Sequence, residues 1–191
     1  MPSTLAPAVE IEETKRGTRI VTVKANGAFV SRPHWETRYP AALIDHVLRV
    51  KGPGSLCDEI ARDESPEYVE HHFRWDILSY DPPKAFAEKR VLDFGSGAGA
   101  STMVLTRLLP DSVKIEGVEL VPDYIGLARA RARFYGVEDR VRFHQSPNGT
   151  SLPNGVGQFD FIVCSAVFEH LLPEERQTGA TLTMAPYREL R

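Results

Sequence analysis

The chain has 191 residues, of which 42% are hydrophobic and 26% are charged, and these proportions are typical of a soluble globular protein. A formal net charge of −3, with no run of Lys and Arg, argues against nucleic acid as a partner. No apolar stretch approaches the ~18 residues of a membrane span, and no signal peptide begins the sequence. The two cysteines, Cys57 and Cys164, lack metal-ligand spacing. We therefore expect a cytoplasmic protein without a membrane partner or a metal site.

Residues 1–88 are predicted to form an extension made of a hairpin and helices, which is a candidate cap over a substrate. Residues 1–17 are polar and contain proline, so we expect them to be frayed. Residues 19–31 alternate apolar and polar side chains around Asn26-Gly27, a pair that favours a tight hairpin turn. Trp35 and Tyr39 are candidates for covering the substrate.

At least two helices are expected between this hairpin and residue 81. Pro40 suits the first turn of a helix, and apolar residues recur after it at helical spacing, namely Leu43, Ile44, Val47 and Leu48. A second helix is predicted to begin at Ser65-Pro66-Glu67, because serine is a good N-cap and proline fits the first turn. Asp81-Pro82-Pro83 is predicted to end it.

From residue 90 onward the pattern changes to alternating strands and helices. This alternation predicts right-handed βαβ units and an α/β, Rossmann-like parallel sheet with helices on both faces. In such a sheet, ligands bind at the carboxyl ends of the strands. The strands are predicted at residues 90–94, 114–118, 140–144 and 159–164, and the helices at about 98–109, 122–135 and from Pro173 onward.

A glycine-rich turn follows the first of these strands, in the stretch VLDFGSGAGAST at residues 91–102. Gly95, Gly97 and Gly99 would let a ligand lie against bare backbone, in the field of a helix N-terminus. The spacing satisfies a dinucleotide-binding pattern, and Glu119 ends the next strand, where a ribose-binding acid belongs. Asp93 argues against that alternative, because its carboxylate would repel a pyrophosphate.

The same stretch resembles motif I of the class I S-adenosylmethionine-dependent methyltransferases, in which an acid precedes glycines at alternate positions. A carboxylate suits the cationic sulfonium and the ammonium group of that cofactor. The resemblance continues through IEGVEL at 115–120, LPNG at 152–155 and FDFIVCSAVFEHLLP at 159–173, and it covers residues 89–177. It implies methyl transfer from S-adenosylmethionine to a small-molecule acceptor.

The resemblance also implies which residues contact the cofactor. Asp93 and the glycine turn hold the methionine moiety, Glu119 accepts the ribose hydroxyls, and Asn148 with Gly149 stands where the family usually has Gly-Asp-Ala beside the adenine. Asp93 has the alternative role of accepting loop N–H bonds, and Asn148 that of an Asx-turn. The predicted cofactor-binding residues are Asp93, Gly95, Ser96, Gly97, Gly99, Glu119, Leu120, Asn148, Gly149 and Ser165.

Glu169 and His170 are the candidates for catalysis, because they follow the fourth strand and histidine can act as a general base. The alternative is that the histidine shapes the pocket. Two other functions stay open at this stage. One is a non-catalytic cofactor-binding remnant, and the other is a nicotinamide-dependent oxidoreductase.

The tail at residues 178–191 lacks helical periodicity and does not continue the family pattern. Only the first half of a class I methyltransferase fold is therefore predicted, and we expect a truncated or frameshifted product or a partial sequence. The strand at 159–164 would then form an exposed, apolar sheet edge. Self-association or a partner protein at this edge is expected.

Overall fold

The computed structural model describes residues 7–148 and 152–167. The chain divides into two units, Met1–Ser79 and Tyr80–Arg191, called here the N-terminal and C-terminal units. Residues 80–88 therefore group with the second unit, in which the ring of Phe86 packs 4.2 Å from that of Phe161. No helix in the described ranges is long and apolar enough to cross a membrane.

The N-terminal unit combines an antiparallel sheet in the order β1-β2-β3 with helices that follow it in the chain. Val21 and Val23 of the central strand β2 are buried, and helix α2 packs against β2 and β3. The elements described in this unit are β1 (Ala8–Glu13), β2 (Arg19–Lys24), β3 (His34–Thr37), α1 (Ala41–Lys51), α2 (Leu56–Glu64) and α3 (Val69–Asp76).

The prediction that residues 1–17 are frayed is wrong for β1, which pairs with β2 along its whole length. Most of its side chains are exposed, so burial does not hold it in place. The backbone ladder does so, together with the cross-strand ion pairs Arg19–Glu13 and Lys24–Glu10. These contacts depend on β2 and are not visible in the sequence of β1 alone.

The predicted hairpin has the right turn and the wrong partner strand. Asn26 and Gly27 have φ values of 48° and 85°, and the N–H of Ala28 donates to the carbonyl of Ala25. However, β2 pairs with β3 rather than with residues 28–31. The N–H and hydroxyl groups of Ser31 donate to the carbonyl of Gly54, and these bonds draw the segment away from β2.

Helix α1 follows Pro40 as predicted, but Ser65 ends a helix instead of beginning one. Its N–H donates to the carbonyl of Ala61 at the end of α2, and its hydroxyl accepts the N–H of Glu67. Helix α3 begins only at Val69. The serine and proline signals at 65–66 therefore mark the turn between two helices.

The C-terminal unit contains a parallel sheet in the order β6-β5-β4-β7. Helix α4 connects β4 to β5, helix α5 connects β5 to β6, and the two helices pack against each other. This parallel sheet with its helices confirms the predicted α/β, Rossmann-like class. The elements are β4 (Arg90–Phe94), α4 (Ala100–Leu108), β5 (Lys114–Glu119), α5 (Pro122–Tyr135), β6 (Val141–Gln145) and β7 (Phe161–Val163).

Arg90, at the start of β4, holds the chain segment that leads into β7. Its guanidinium donates to the carbonyls of Val156 and Gln158 and pairs with Glu116 on β5. Its backbone N–H donates to the carboxylate of Asp160. These bonds begin β7 at residue 161, two residues later than predicted, and align it beside β4.

Candidate cofactor-binding site

The glycine loop, Glu119 and Ser165 lie at the carboxyl ends of β4, β5 and β7. Strand β4 has β5 on one side and β7 on the other, so the order of the strands reverses there. Such a reversal leaves a crevice at the carboxyl ends of an open parallel sheet. The N–H of Gly97 lies 2.9 Å from Oε2 of Glu119, which joins the turn after β4 to the end of β5.

The glycine loop, residues 95–99, is held mainly by its own backbone and by β5. The N–H groups of Gly95 and Ser96 both donate to the carbonyl of Val118, at 2.8 and 3.0 Å. The N–H of Gly99 donates back to the carbonyl of Ser96 at 2.9 Å. These bonds fix the conformation of the loop.

The three glycines of this loop have positive φ, yet only one of them leaves open space. A Cβ atom on Gly99 would lie 2.7 Å from Cβ of Ala128 on α5, and one on Gly95 would overlap the side chain of Val167. A Cβ atom on Gly97 would meet no described residue within 4 Å. Gly95 and Gly99 therefore allow close packing, whereas the open side of the loop lies at Gly97.

Glu119 links Gly97, on the open side of the loop, to the backbone just before α5 through hydrogen bonds. Its Oε2 accepts the N–H of Gly97, and its Oε1 accepts the N–H groups of Leu120 and Val121 at 2.7 and 2.9 Å. A carboxylate offers about four acceptor positions, so one position on Oε2 stays available for a ligand hydroxyl. The neighbouring Leu120 side chain is 47% exposed and offers an apolar surface at the same place.

Asp93 lies behind the glycine loop and is 2% exposed. Its Oδ2 accepts the hydroxyl protons of Ser101 at 2.7 Å and Thr102 at 2.6 Å, both in the first turn of α4. Burial raises the pKa of Asp93, the bonds from Thr102 and Ser101 lower it, and the Glu119 carboxylate raises it. The side chain thus positions the start of α4 and adds negative charge behind the loop.

A sequence profile described as "methyltransferase domain" matches residues 91–185. Catechol O-methyltransferase B from Danio rerio is 29% identical over 93 residues, which cover 46% of this chain and 35% of that protein. A ubiquinone biosynthesis O-methyltransferase from Psychrobacter arcticus is 26% identical over 108 residues, which cover 54% of this chain and 41% of that protein. These matches span less than half the length of either relative.

Among solved structures, a Methanococcus maripaludis protein described as an S-adenosyl-L-methionine-dependent methyltransferase superposes with a TM-score of 0.53. It is 19% identical, and the match covers 74% of this chain and 57% of that one. The chain carries a class I methyltransferase domain. The resemblance implies S-adenosylmethionine as the cofactor of this domain.

The donor set of the methyltransferase domain fits this cofactor. Asp93 and Glu119 bring two carboxylates to the loop, a charge that suits a sulfonium and an ammonium group and opposes a pyrophosphate. The space beside Gly97 accommodates a ligand against the backbone, and Glu119 retains an acceptor position for a ribose hydroxyl.

The other residues predicted for the site give it less direct support. The Ser96 hydroxyl is buried with no hydrogen-bond partner in the described part of the chain, and it would lie 2.8 Å from a Cβ atom on Gly117, so it points into the protein. Asn148 and Ser165 are exposed, and the carbonyl of Asn148 accepts the Ser146 hydroxyl. Gly149, Glu169 and His170 lie outside the described residues.

Tyr39, a candidate for covering the substrate, is a core residue of the N-terminal unit. It is fully buried, and its hydroxyl donates to Oδ2 of Asp63 at 2.7 Å. That prediction is therefore wrong for Tyr39, because the ring fills the space beside α2. Trp35 is half-buried and donates its indole N–H to Glu64.

Sequence reasoning missed Arg131 of α5, which is fully buried and donates to the carbonyl of Ala98 at 2.7 Å. A signal was present, since Leu127, Ala128 and Arg131 recur at the spacing of one helix face. An arginine at such a position is predicted to be exposed unless its buried hydrogen-bond partner is known. Sequence reasoning also missed Ser101 and Thr102 as the partners of Asp93.

Asp93→Asn is expected to separate stability from cofactor affinity. Burial raises the pKa of Asp93 above its ordinary value of 3.8, so its ionisation makes the free energy of unfolding fall as pH rises from about 4 toward the raised pKa. The asparagine side chain still accepts the hydroxyl protons of Ser101 and Thr102. Because it does not ionise, the fall in the free energy of unfolding with pH disappears, and the variant is at least as stable as the wild type at pH 7. Affinity for S-adenosylmethionine is expected to fall about tenfold with the lost charge.

Urea unfolding between pH 4 and pH 8, with calorimetric titration of the cofactor, measures both effects. Asp139→Asn is the matched control, because Asp139 is exposed and precedes the amino end of β6. A marked loss of stability in Asp93→Asn at pH 7, with unchanged affinity, would contradict the assignment.

Proposed function

We propose that this chain transfers a methyl group from S-adenosylmethionine to a small-molecule acceptor. The observation that carries the proposal is the Gly97–Glu119 pair, which joins an open glycine turn to a carboxylate at the strand-order reversal. Two relatives carry names that refer to small molecules, catechol and ubiquinone biosynthesis, which supports an acceptor of this class. The chain is accordingly assigned to the methyltransferases, EC 2.1.1.-.

Each group of residues has a defined task in this proposal. Bound S-adenosylmethionine supplies a methyl group already activated by the sulfonium. Glu119 accepts a ribose hydroxyl at its remaining acceptor position, Leu120 contacts the apolar part of the nucleoside, and the Gly97 backbone borders the methionine moiety. Asp93 balances positive charge behind the loop, and the preorganised turn keeps the methyl group in line with the acceptor.

The other predicted contacts belong to the proposal as well. Asn148 and Gly149 would meet the adenine, Ser165 would border the cofactor after β7, and Ser96 would contribute only through the loop backbone. Glu169 or His170 would remove the acceptor proton where the acceptor requires it. A cytoplasmic location and association at the sheet edge stay predictions.

Calorimetric titration of the 191-residue chain with S-adenosylmethionine and S-adenosylhomocysteine, against NAD, tests the cofactor. Transfer of a labelled methyl group to a panel of phenols, carboxylates, amines and thiols then tests the reaction. We expect micromolar binding of both sulfur ligands, none of NAD, and labelling of one acceptor class. Tighter binding of NAD would favour the oxidoreductase, and tight binding without transfer to any acceptor would favour a non-catalytic cofactor-binding protein.

A further inference from the structure

Arg131 has the largest side chain among the fully buried residues in the described part of the chain. A buried guanidinium is unfavourable unless its N–H groups find acceptors, so its bonds indicate what it is retained for. One of them runs from Nη1 to the carbonyl oxygen of Ala98, at the short distance of 2.7 Å. A charge-assisted bond of this length is stronger than one between neutral groups.

Ala98 lies between the open glycine, Gly97, and Gly99 at the start of α4. The peptide between Ala98 and Gly99 is held at both ends, since its carbonyl accepts from Arg131 and its N–H donates to Ser96. Rotation of this peptide would move Gly97, the residue beside the open space. The bond from Arg131 opposes that rotation.

Three side chains of the β5–α5 segment lie against residues 97–99. Glu119 accepts the N–H of Gly97, Arg131 donates to the carbonyl of Ala98, and Ala128 lies where a Cβ atom on Gly99 would be. Ala128 and Arg131 are one helical turn apart on the same face of α5. The conformation of the glycine loop therefore depends on a helix that follows it in the chain by more than 20 residues.

We infer that Arg131 is a positioning residue for the cofactor, acting through the Ala98 carbonyl to hold the glycine loop in its binding conformation. The inference rests on the proposed function, which assigns this loop to S-adenosylmethionine. Arg131 does not itself need to contact the cofactor. Removing its guanidinium leaves a buried carbonyl without this donor and frees the 98–99 peptide to rotate.

The test compares Arg131→Met, Arg131→Lys and the control Arg133→Met in the full chain. Arg133 is on the same helix, but its guanidinium pairs with Glu138 at the surface. Amide hydrogen exchange of the cofactor-free protein reports on residues 95–99, and calorimetry with S-adenosylhomocysteine reports on affinity. Arg131→Met is expected to exchange at least tenfold faster in this loop and to bind about tenfold more weakly. Arg131→Lys is expected to restore part of the protection from exchange and part of the affinity, whereas Arg133→Met is expected to change neither the exchange rate nor the affinity.

If Arg131 had a purely structural role, Arg131→Met would instead speed exchange throughout α5 and β5 to the same degree as in residues 95–99. Wild-type exchange in the loop of folded Arg131→Met would overturn the inference. If that variant does not fold, Arg131→Gln, which keeps a donor without the charge, replaces it in the same comparison with Arg131→Lys. Failure of the wild-type chain to bind S-adenosylhomocysteine would contradict the proposed function, while the exchange measurement would still decide the role of Arg131.

Discussion

Gly99→Ala is expected to destabilise the C-terminal unit strongly and to abolish cofactor binding. The added Cβ atom would lie 2.7 Å from Cβ and 2.9 Å from Cα of Ala128, so helix α5 would have to move as a body. The φ of +86° at this position adds backbone strain. Together these effects are expected to lower the free energy of unfolding by about 3 kcal/mol or more, as measured in urea.

Gly97→Ala provides the contrast, because no atom of residues 7–148 or 152–167 lies within 4 Å of its added methyl group. Only the strain of φ +53° acts on stability, about 1–2 kcal/mol, whereas the methyl group enters the space assigned to the cofactor. Gly136→Ala is the matched control: it has φ +66° and an equally open Cβ position, but it caps the far end of α5. We expect similar stability in the two variants and loss of S-adenosylmethionine binding only in Gly97→Ala. Equal affinities would contradict the assigned position of the ligand.

Glu119→Gln is expected to weaken S-adenosylmethionine binding by tenfold or more. The carboxylate serves three N–H donors, from Gly97, Leu120 and Val121, and a glutamine amide replaces one of its oxygens with a group that cannot accept. At least one N–H then faces an NH₂ group, and the acceptor position for a ribose hydroxyl is lost or weakened. The lost charge-assisted bonds are expected to lower the free energy of unfolding by about 1–3 kcal/mol.

Calorimetric titration and urea unfolding, run on the same samples, measure the two effects of Glu119→Gln. The control is Glu138→Gln, which removes charge from the exposed pair with Arg133 and is expected to change neither quantity beyond about 0.5 kcal/mol. Wild-type affinity in a folded Glu119→Gln variant would mean that this carboxylate is not the ribose ligand.

The sequence predicted the C-terminal unit better than the N-terminal one because the two depend on different signals. Strand β4, the glycine loop and helix α5 carry strong local patterns: an apolar run, glycines at alternate positions and an apolar helix face. Strand β1 is short, charged and exposed, and it forms only because β2 offers a partner ladder. The same dependence on partners explains why Ser65 was assigned to the wrong helix end.

Within the site, the sequence alone determined the parallel α/β class, the glycine turn, and the placement of Asp93 and Glu119 at the ends of adjacent strands. These features follow from local periodicity and from the rule that parallel strands bring their carboxyl ends together. Only the tertiary structure decided that Gly97 is the open glycine, that Asp93 bonds to α4, and that Arg131 reaches the loop from α5. The physical reason is that each of these facts depends on side-chain contacts between separate elements, from Asp93 to the next helix and from Arg131 back over 33 residues to Ala98, which no local pattern encodes.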